Sequence, residues 1–164
     1  MKPFKEIKKW FENQENLFYL FLIILIVPNV VLCFTEPMPI VAKVCNVLLP
    51  FSIYYMVMSW SRNCGRTFWI LFPFLFFGAF QIVLLYLFGQ SIIAVDMFLN
   101  LVTTNSSEAL ELLDNLIPAI VIVVLLYIPA LAVATVSVIK KRELPELFIH
   151  RERKRARLAM IAGV

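Results

Sequence analysis

Asn100, Thr104 and Glu108 recur at intervals of four residues, so a helix over this stretch would carry a carboxamide, a hydroxyl and a carboxylate on one face. Such a set suits a head group that joins an amine to a phosphate. The carboxylate can pair with the ammonium, while amide and hydroxyl donate to phosphate oxygens. The surrounding segment, residues 96–115, adds Asp96, Glu111 and Asp114 and contains no Lys or Arg. Leu99, Val102, Leu110 and Leu113 are apolar positions that could dock a helix on a bundle or a bilayer. A second local pattern competes with the first. Asn105, with Glu108 three residues on, is a capping-box variant that would start a helix at Ser106 and break the single face. Asn105-Ser106-Ser107 also forms a glycosylation sequon, a pattern too common to decide between readings.

The elements that must position these residues are read from hydropathy. The chain has 164 residues, of which 62% are hydrophobic, whereas globular domains run at about 45–50%. Four runs, residues 16–35, 44–61, 67–95 and 115–139, contain no Asp, Glu, Lys or Arg. A hydrocarbon core of roughly 30 Å takes about 20 helical residues to cross. The runs therefore predict spans over about 16–35, 42–61, 67–89 and 116–139, with 90–115 left outside the bilayer. The first run is too long for the apolar region of a signal peptide, and no A-x-A-like cleavage site follows it, so it reads as a retained span.

Charge gives the orientation. Lys2, Lys5, Lys8 and Lys9 precede the first span, Arg62 and Arg66 lie between the second and third, and eight Lys or Arg follow the fourth. The first connection has only Lys43, and the third has none. Excess Lys and Arg in short loops marks the cytoplasmic side, which puts the N-terminus inside and residues 90–115 outside. The stretch "RERKRAR" at 151–157 is basic enough to suggest nucleic acid. Beside transmembrane helices, however, it fits anionic lipid better, and no nucleic-acid partner is expected. Phe4, Ile7 and Phe11 at helical spacing among lysines predict an amphipathic helix lying in the interface ahead of the first span.

The remaining polar residues point to packing. Asn29, Asn46 and Gln81 are the main polar groups within the spans and are expected to form interhelical hydrogen bonds. No ionisable residue falls at mid-membrane depth, which argues against a proton-coupled pump. Cys33, Cys45 and Cys64 have neither CxxC nor Cys/His spacing and read as buried apolar residues. Cys33 and Cys45 could face the same side of the membrane. His150 stands alone among basic residues, so no metal is expected in this chain. Leu158–Val164 opens a further apolar run after the basic stretch and reads as the first turns of a fifth span, cut short.

The segment "FGQSIIAVDMFLNLVTTNSSEALELL" resembles part of the membrane domain of the lipid A phosphoethanolamine transferases. The family pattern D-M-x-x-N-x-x-x-T-N-x-x-E-A is met by Asp96, Met97, Asn100, Thr104, Asn105, Glu108 and Ala109 at matching spacing. The likeness is closest over about 25 residues, and the hairpin layout around them agrees. It implies an inner-membrane domain of five transmembrane helices that presents phosphatidylethanolamine to a periplasmic, zinc-dependent domain of the alkaline-phosphatase/sulfatase type. That domain would transfer phosphoethanolamine to lipid A and so confer polymyxin resistance. The family's lipid-binding positions fall on Asn100, Thr104 and Glu108. Nothing in the chain matches the catalytic domain, so neither its nucleophile nor its zinc is expected here. The expectation is an all-α membrane protein with a single membrane domain over 1–164. It would be a bundle of four transmembrane helices plus an incomplete fifth, with an amphipathic N-terminal helix and a periplasmic helical segment between helices three and four. The alternative is a free-standing four-helix accessory or assembly protein with no enzymatic activity.

Overall fold

The computed structural model describes residues 6, 9–88 and 106–163, with side chains for all of these except 81, 82, 84–88, 106–116, 119, 162 and 163. Every element among the described residues is a helix. These are α1 (Gln14–Thr35), α2 (Ile40–Met58), α3 (Cys64–Ile70), α4 (Phe72–Phe88), α5 (Ser106–Ile139) and α6 (Glu146–Gly163). Of the expected interfacial helix, residues 9–12 are helical, while Phe4 and Ile7 lie outside the described residues.

Three stretches are long and apolar enough to cross a membrane: Gln14–Thr35, Ile40–Met58 and Ile120–Ile139. Their outer faces carry large exposed apolar side chains, among them Phe34, Ile40 and Leu125. A water-soluble monomer rarely leaves so much apolar surface uncovered. The chain is a membrane protein by its structure as well as its composition.

The run expected to form a third span is broken at Leu71, where the backbone (φ −81°, ψ 2°) separates α3 from α4. Pro73 supplies the cause, since it has no N–H to continue the ladder and its ring crowds the preceding turn. The backbone amides of Phe74 and Leu75 both turn back to the Leu71 carbonyl, at 3.0 and 3.1 Å, which restarts the helix.

α1 packs against α2 on one side and α4 on the other, α5 closes against α3 and α4, and α6 lies outermost against α2. As the central helix, α1 supplies much of the core: Leu17, Phe18, Phe21, Leu22 and Leu25 are all buried. Phe21 stacks on Phe68 of α3 with ring centroids 4.3 Å apart, and Phe18 meets Phe148 of α6 edge-on at 5.5 Å. Two Asn residues join α1 to α2 as expected: Asn29 Nδ2 donates to Asn46 Oδ1 at 3.2 Å, and Asn46 Nδ2 donates to the Asn29 carbonyl at 2.8 Å. The side chain of Gln81 lies outside the described residues.

Local signals set the helix ends. Asn13 and Asn63 cap α1 and α3 by accepting from the amides of Glu15 and Arg66. At the end of α5, Lys141 N–H donates to the Val138 carbonyl and Arg142 N–H to the Ser137 carbonyl, the paired bonds of a Schellman motif. Lys141 takes the left-handed position (φ 48°) usually left to glycine. The turn it makes is short, and α6 leaves it to run antiparallel along α2.

Gly78 of α4 lies against the ring of Pro28 in α1, and Tyr127 of α5 lies just beyond, its hydroxyl 3.7 Å from where a Gly78 Cβ would stand. Tyr127 is 5% exposed, and its hydroxyl has no hydrogen-bond partner among the described residues. Tyr127→Phe is therefore expected to be neutral or stabilising, within about 1 kcal/mol. A thermal melt of the detergent-solubilised variant checks this, and a clear loss of stability would show that the hydroxyl is engaged.

Candidate functional site

Of the three residues expected to hold a head group, Asn100 and Thr104 lie outside the described residues, as does most of the segment 90–115. Glu108 falls in the first described turn of α5, which is followed there by its backbone. α5 is 34 residues long, about 51 Å at 1.5 Å per residue, well beyond the roughly 30 Å of a hydrocarbon core. With Ile120–Ile139 as its membrane-crossing part, the turn carrying Glu108 stands about 12–18 Å beyond the apolar run. The backbone at Glu108 therefore lies beyond the apolar run, on the same continuous helix.

The ends of α1 and α2 lie at this same end of the bundle. Lys43 lines a groove there with Val30, Cys33, Phe34, Val44, Val47 and Leu48. The Cys33 thiol donates to the Lys43 carbonyl and receives Asn46 Nδ2, each at 3.4 Å. Cys33 and Cys45 are both free. The groove is apolar apart from Lys43, so it offers a cation and a greasy wall but no acid–base pair.

The opposite, basic end holds a polar cluster that sequence reading missed. Glu152 of α6 is 0% exposed. Its Oε2 accepts from the Tyr55 hydroxyl of α2, and its Oε1 accepts from Arg151 Nε at 3.0 Å and Arg155 Nη1 at 2.9 Å. Burial works to raise the carboxyl pKa, but hydrogen bonds from Tyr55, Arg151 and Tyr19, with the charge of Arg155, outweigh it and hold it below its ordinary value. Both carboxylate oxygens accept hydrogen bonds from within the chain. The role of Glu152 is to lock α6 onto α2. One sequence signal pointed to it: Glu152 is the lone acid in "RERKRAR", with arginines at i−1 and i+3.

Two further ties close the basic end. Gln14 Oε1 accepts from Ser137 Oγ at 2.7 Å and from the Cys64 thiol at 3.4 Å, joining α1, α5 and α3. Burial pushes the Cys64 thiol up to about 11, so it remains a neutral donor. Arg62 pairs with Glu143 and Glu146 at 3.2 and 2.8 Å, and its carbonyl accepts from the Leu144 amide, which holds the two turns at this end together.

No three His, Cys, Asp or Glu side chains gather as metal ligands among the described residues. His150, the chain's one histidine, lies exposed on α6. Comparison with protein-family models, with curated proteins and with solved structures finds no match.

Proposed function

We propose that this chain is the membrane domain of a lipid A phosphoethanolamine transferase. It would lie in the bacterial inner membrane with its N-terminus in the cytoplasm, and would hold phosphatidylethanolamine for a periplasmic catalytic domain that this chain does not contain. The observation that carries the reading is the seven-position match from Asp96 to Ala109, which includes Asn100, Thr104 and Glu108. The length of α5 supports it, because a helix this long lifts Glu108 clear of the hydrocarbon core. On this reading α3 and α4 make the third crossing from about residue 67, α5 makes the fourth, and the fifth begins within α6 at about residue 158. The course of α6 suits that assignment. Ala159, near its far end, accepts from Ser52 Oγ at 2.9 Å, a point well inside α2.

In the proposed site Glu108 pairs with the ammonium of phosphatidylethanolamine, while Asn100 and Thr104 donate to its phosphate. Transfer itself, and the zinc it needs, belong to the catalytic domain. Glu108→Gln in the full-length protein keeps the shape of the side chain and removes its charge. A charge-assisted hydrogen bond is worth about 1.5–3 kcal/mol, so transfer is expected to fall about 10- to 100-fold with membrane insertion unchanged. Mass spectrometry of lipid A from cells carrying the variant reads the effect. Undiminished phosphoethanolamine on lipid A would sink the assigned role and favour an accessory protein without activity.

A further inference from the structure

α6 carries Arg151, Arg153, Lys154, Arg155 and Arg157 within seven residues, and the structure gives them different surroundings. Arg151 and Arg155 are taken up by Glu152. Arg153 Nη2 donates to the carbonyls of Ser59 and Trp60, at 3.5 and 3.2 Å, at the end of α2. Arg157, one turn further along α6, is exposed and has neither ion pair nor hydrogen bond among the described residues. Arg153 and Arg157 together line a cleft of about 280 Å³ between α2 and α6, whose other walls are Met56, Ser59 and Trp60. No carboxylate lines this cleft. Like charges at i and i+4 repel; the carbonyls at the end of α2 offset part of this for Arg153, and Arg157 has no such partner among the described residues.

We propose that this cleft binds the phosphate of an anionic phospholipid of the cytoplasmic leaflet. Charge complementarity calls for an anion, and the walls select one that carries acyl chains. Trp60 is 74% exposed at the mouth, the residue type enriched where membrane meets water. From the arginines, each wall continues as apolar surface toward the middle of the bundle. On α6, Arg153, Arg157 and the exposed Ile161 follow one another at i, i+4 and i+8 along one face. On α2, Met56 is followed by the exposed Ile53 and Leu49. A lipid phosphate held by Arg153 and Arg157 would lay its acyl chains over Ile161 and Ile53. A free phosphate would use only the arginines. The site lies at the opposite end of the bundle from Glu108, and it holds whether or not the chain serves a transferase.

Trp60 can report on the site. In the full chain carrying Trp10→Phe and Trp69→Phe it is the one tryptophan left, and bromines near the top of an acyl chain quench it on contact. The protein is placed in phosphatidylcholine nanodiscs containing increasing brominated phosphatidylglycerol, or brominated phosphatidylcholine for comparison. A basic side chain beside anionic lipid is worth about a fivefold preference. Brominated phosphatidylglycerol is therefore expected to quench Trp60 at about fivefold lower mole fraction than brominated phosphatidylcholine. Arg157→Gln should bring the two curves together, Arg157→Lys should keep most of the separation, and Lys154→Gln, an equal charge change outside the cleft, should leave it intact. Equal quenching of the unsubstituted cleft by both lipids overturns the proposal. So does a loss with Lys154→Gln as large as with Arg157→Gln, which would mean general surface potential. Displacement of brominated phosphatidylglycerol by millimolar inorganic phosphate would overturn it in favour of a site for free phosphate.

Discussion

Gly65→Val is expected to destabilise the protein by about 2–3 kcal/mol, the usual cost of forcing extra atoms into a closed contact. Gly65 is buried where α3 crosses α5, and a Cβ built on it would stand 2.5 Å from the Ala134 carbonyl oxygen and 3.0 Å from Ser137 Cβ. A backbone carbonyl inside a helix cannot step aside as a side chain can, so α3 and α5 must separate. That movement also pulls on Ser137 and Cys64, both of which donate to Gln14. Small residues let membrane helices approach in this way, and the contact is lost when they grow. Gly78→Ala is the control. Its Cβ would meet Pro28 Cγ at 2.8 Å, a ring atom that can pucker away, and the substitution recovers about 1 kcal/mol of helix propensity. Thermal unfolding in detergent should therefore show a clear drop for Gly65→Val and little change for Gly78→Ala. Equal responses would mean that the α3–α5 crossing is looser than its geometry implies.

Replacing Arg151 and Arg155 together by Gln is expected to cost about 2–3 kcal/mol at neutral pH. Breaking a fully buried pair costs about 3–5 kcal/mol, but these arginine side chains are 54% and 56% exposed, and water already screens them in part. What remains is the Glu152 carboxylate, buried with hydroxyl donors alone. The pH dependence separates this cause from a loss of packing. In the unsubstituted protein the carboxyl is held below its ordinary value. Its stabilisation is present above the unfolded pKa of about 4.3 and is lost as pH falls through the folded value. In the double variant burial dominates and raises the pKa, so the folded state takes up the proton first and recovers stability on acidification. The gap between the two proteins should narrow from pH 7 towards about pH 4.5. Adding Glu152→Gln should restore more than half of the loss at neutral pH. A gap that stays constant with pH, with no rescue by Glu152→Gln, would locate the damage elsewhere.

The contrast between Asn46 and Glu152 shows what could be read from sequence. Asn46 is a polar residue inside an apolar run, where the bilayer forces it to find a partner, and Asn29 on the preceding helix was the nearest choice. Glu152 sits in a basic run, where an acid ordinarily marks a solvated face. Its burial depends on Tyr55, 97 residues earlier, and the flanking arginines mark a paired acid without naming that partner. The break at Leu71 lies between these cases. Pro73 was visible, but a kinked helix and an interrupted one have the same composition. The head-group face was legible as spacing alone: Asn100 and Thr104 lie outside the described residues, and a helical backbone at Glu108 fits the competing helix start at Ser106 equally well.

The placement of α6 against α2 has a consequence for how the chain is made. Ser52 and Tyr55 cannot meet Ala159 and Glu152 until α6 has left the ribosome. At about 5–20 residues per second, the 97 residues between Tyr55 and Glu152 take roughly 5–20 s to synthesise. Through that interval α2 has inserted with its α6-facing side open, and the Tyr55 hydroxyl must be shielded by lipid head groups or by the insertion machinery. A delay between α5 and α6, such as a run of slow codons across residues 140–145, would prolong that exposure and favour capture of α2 by quality-control proteases.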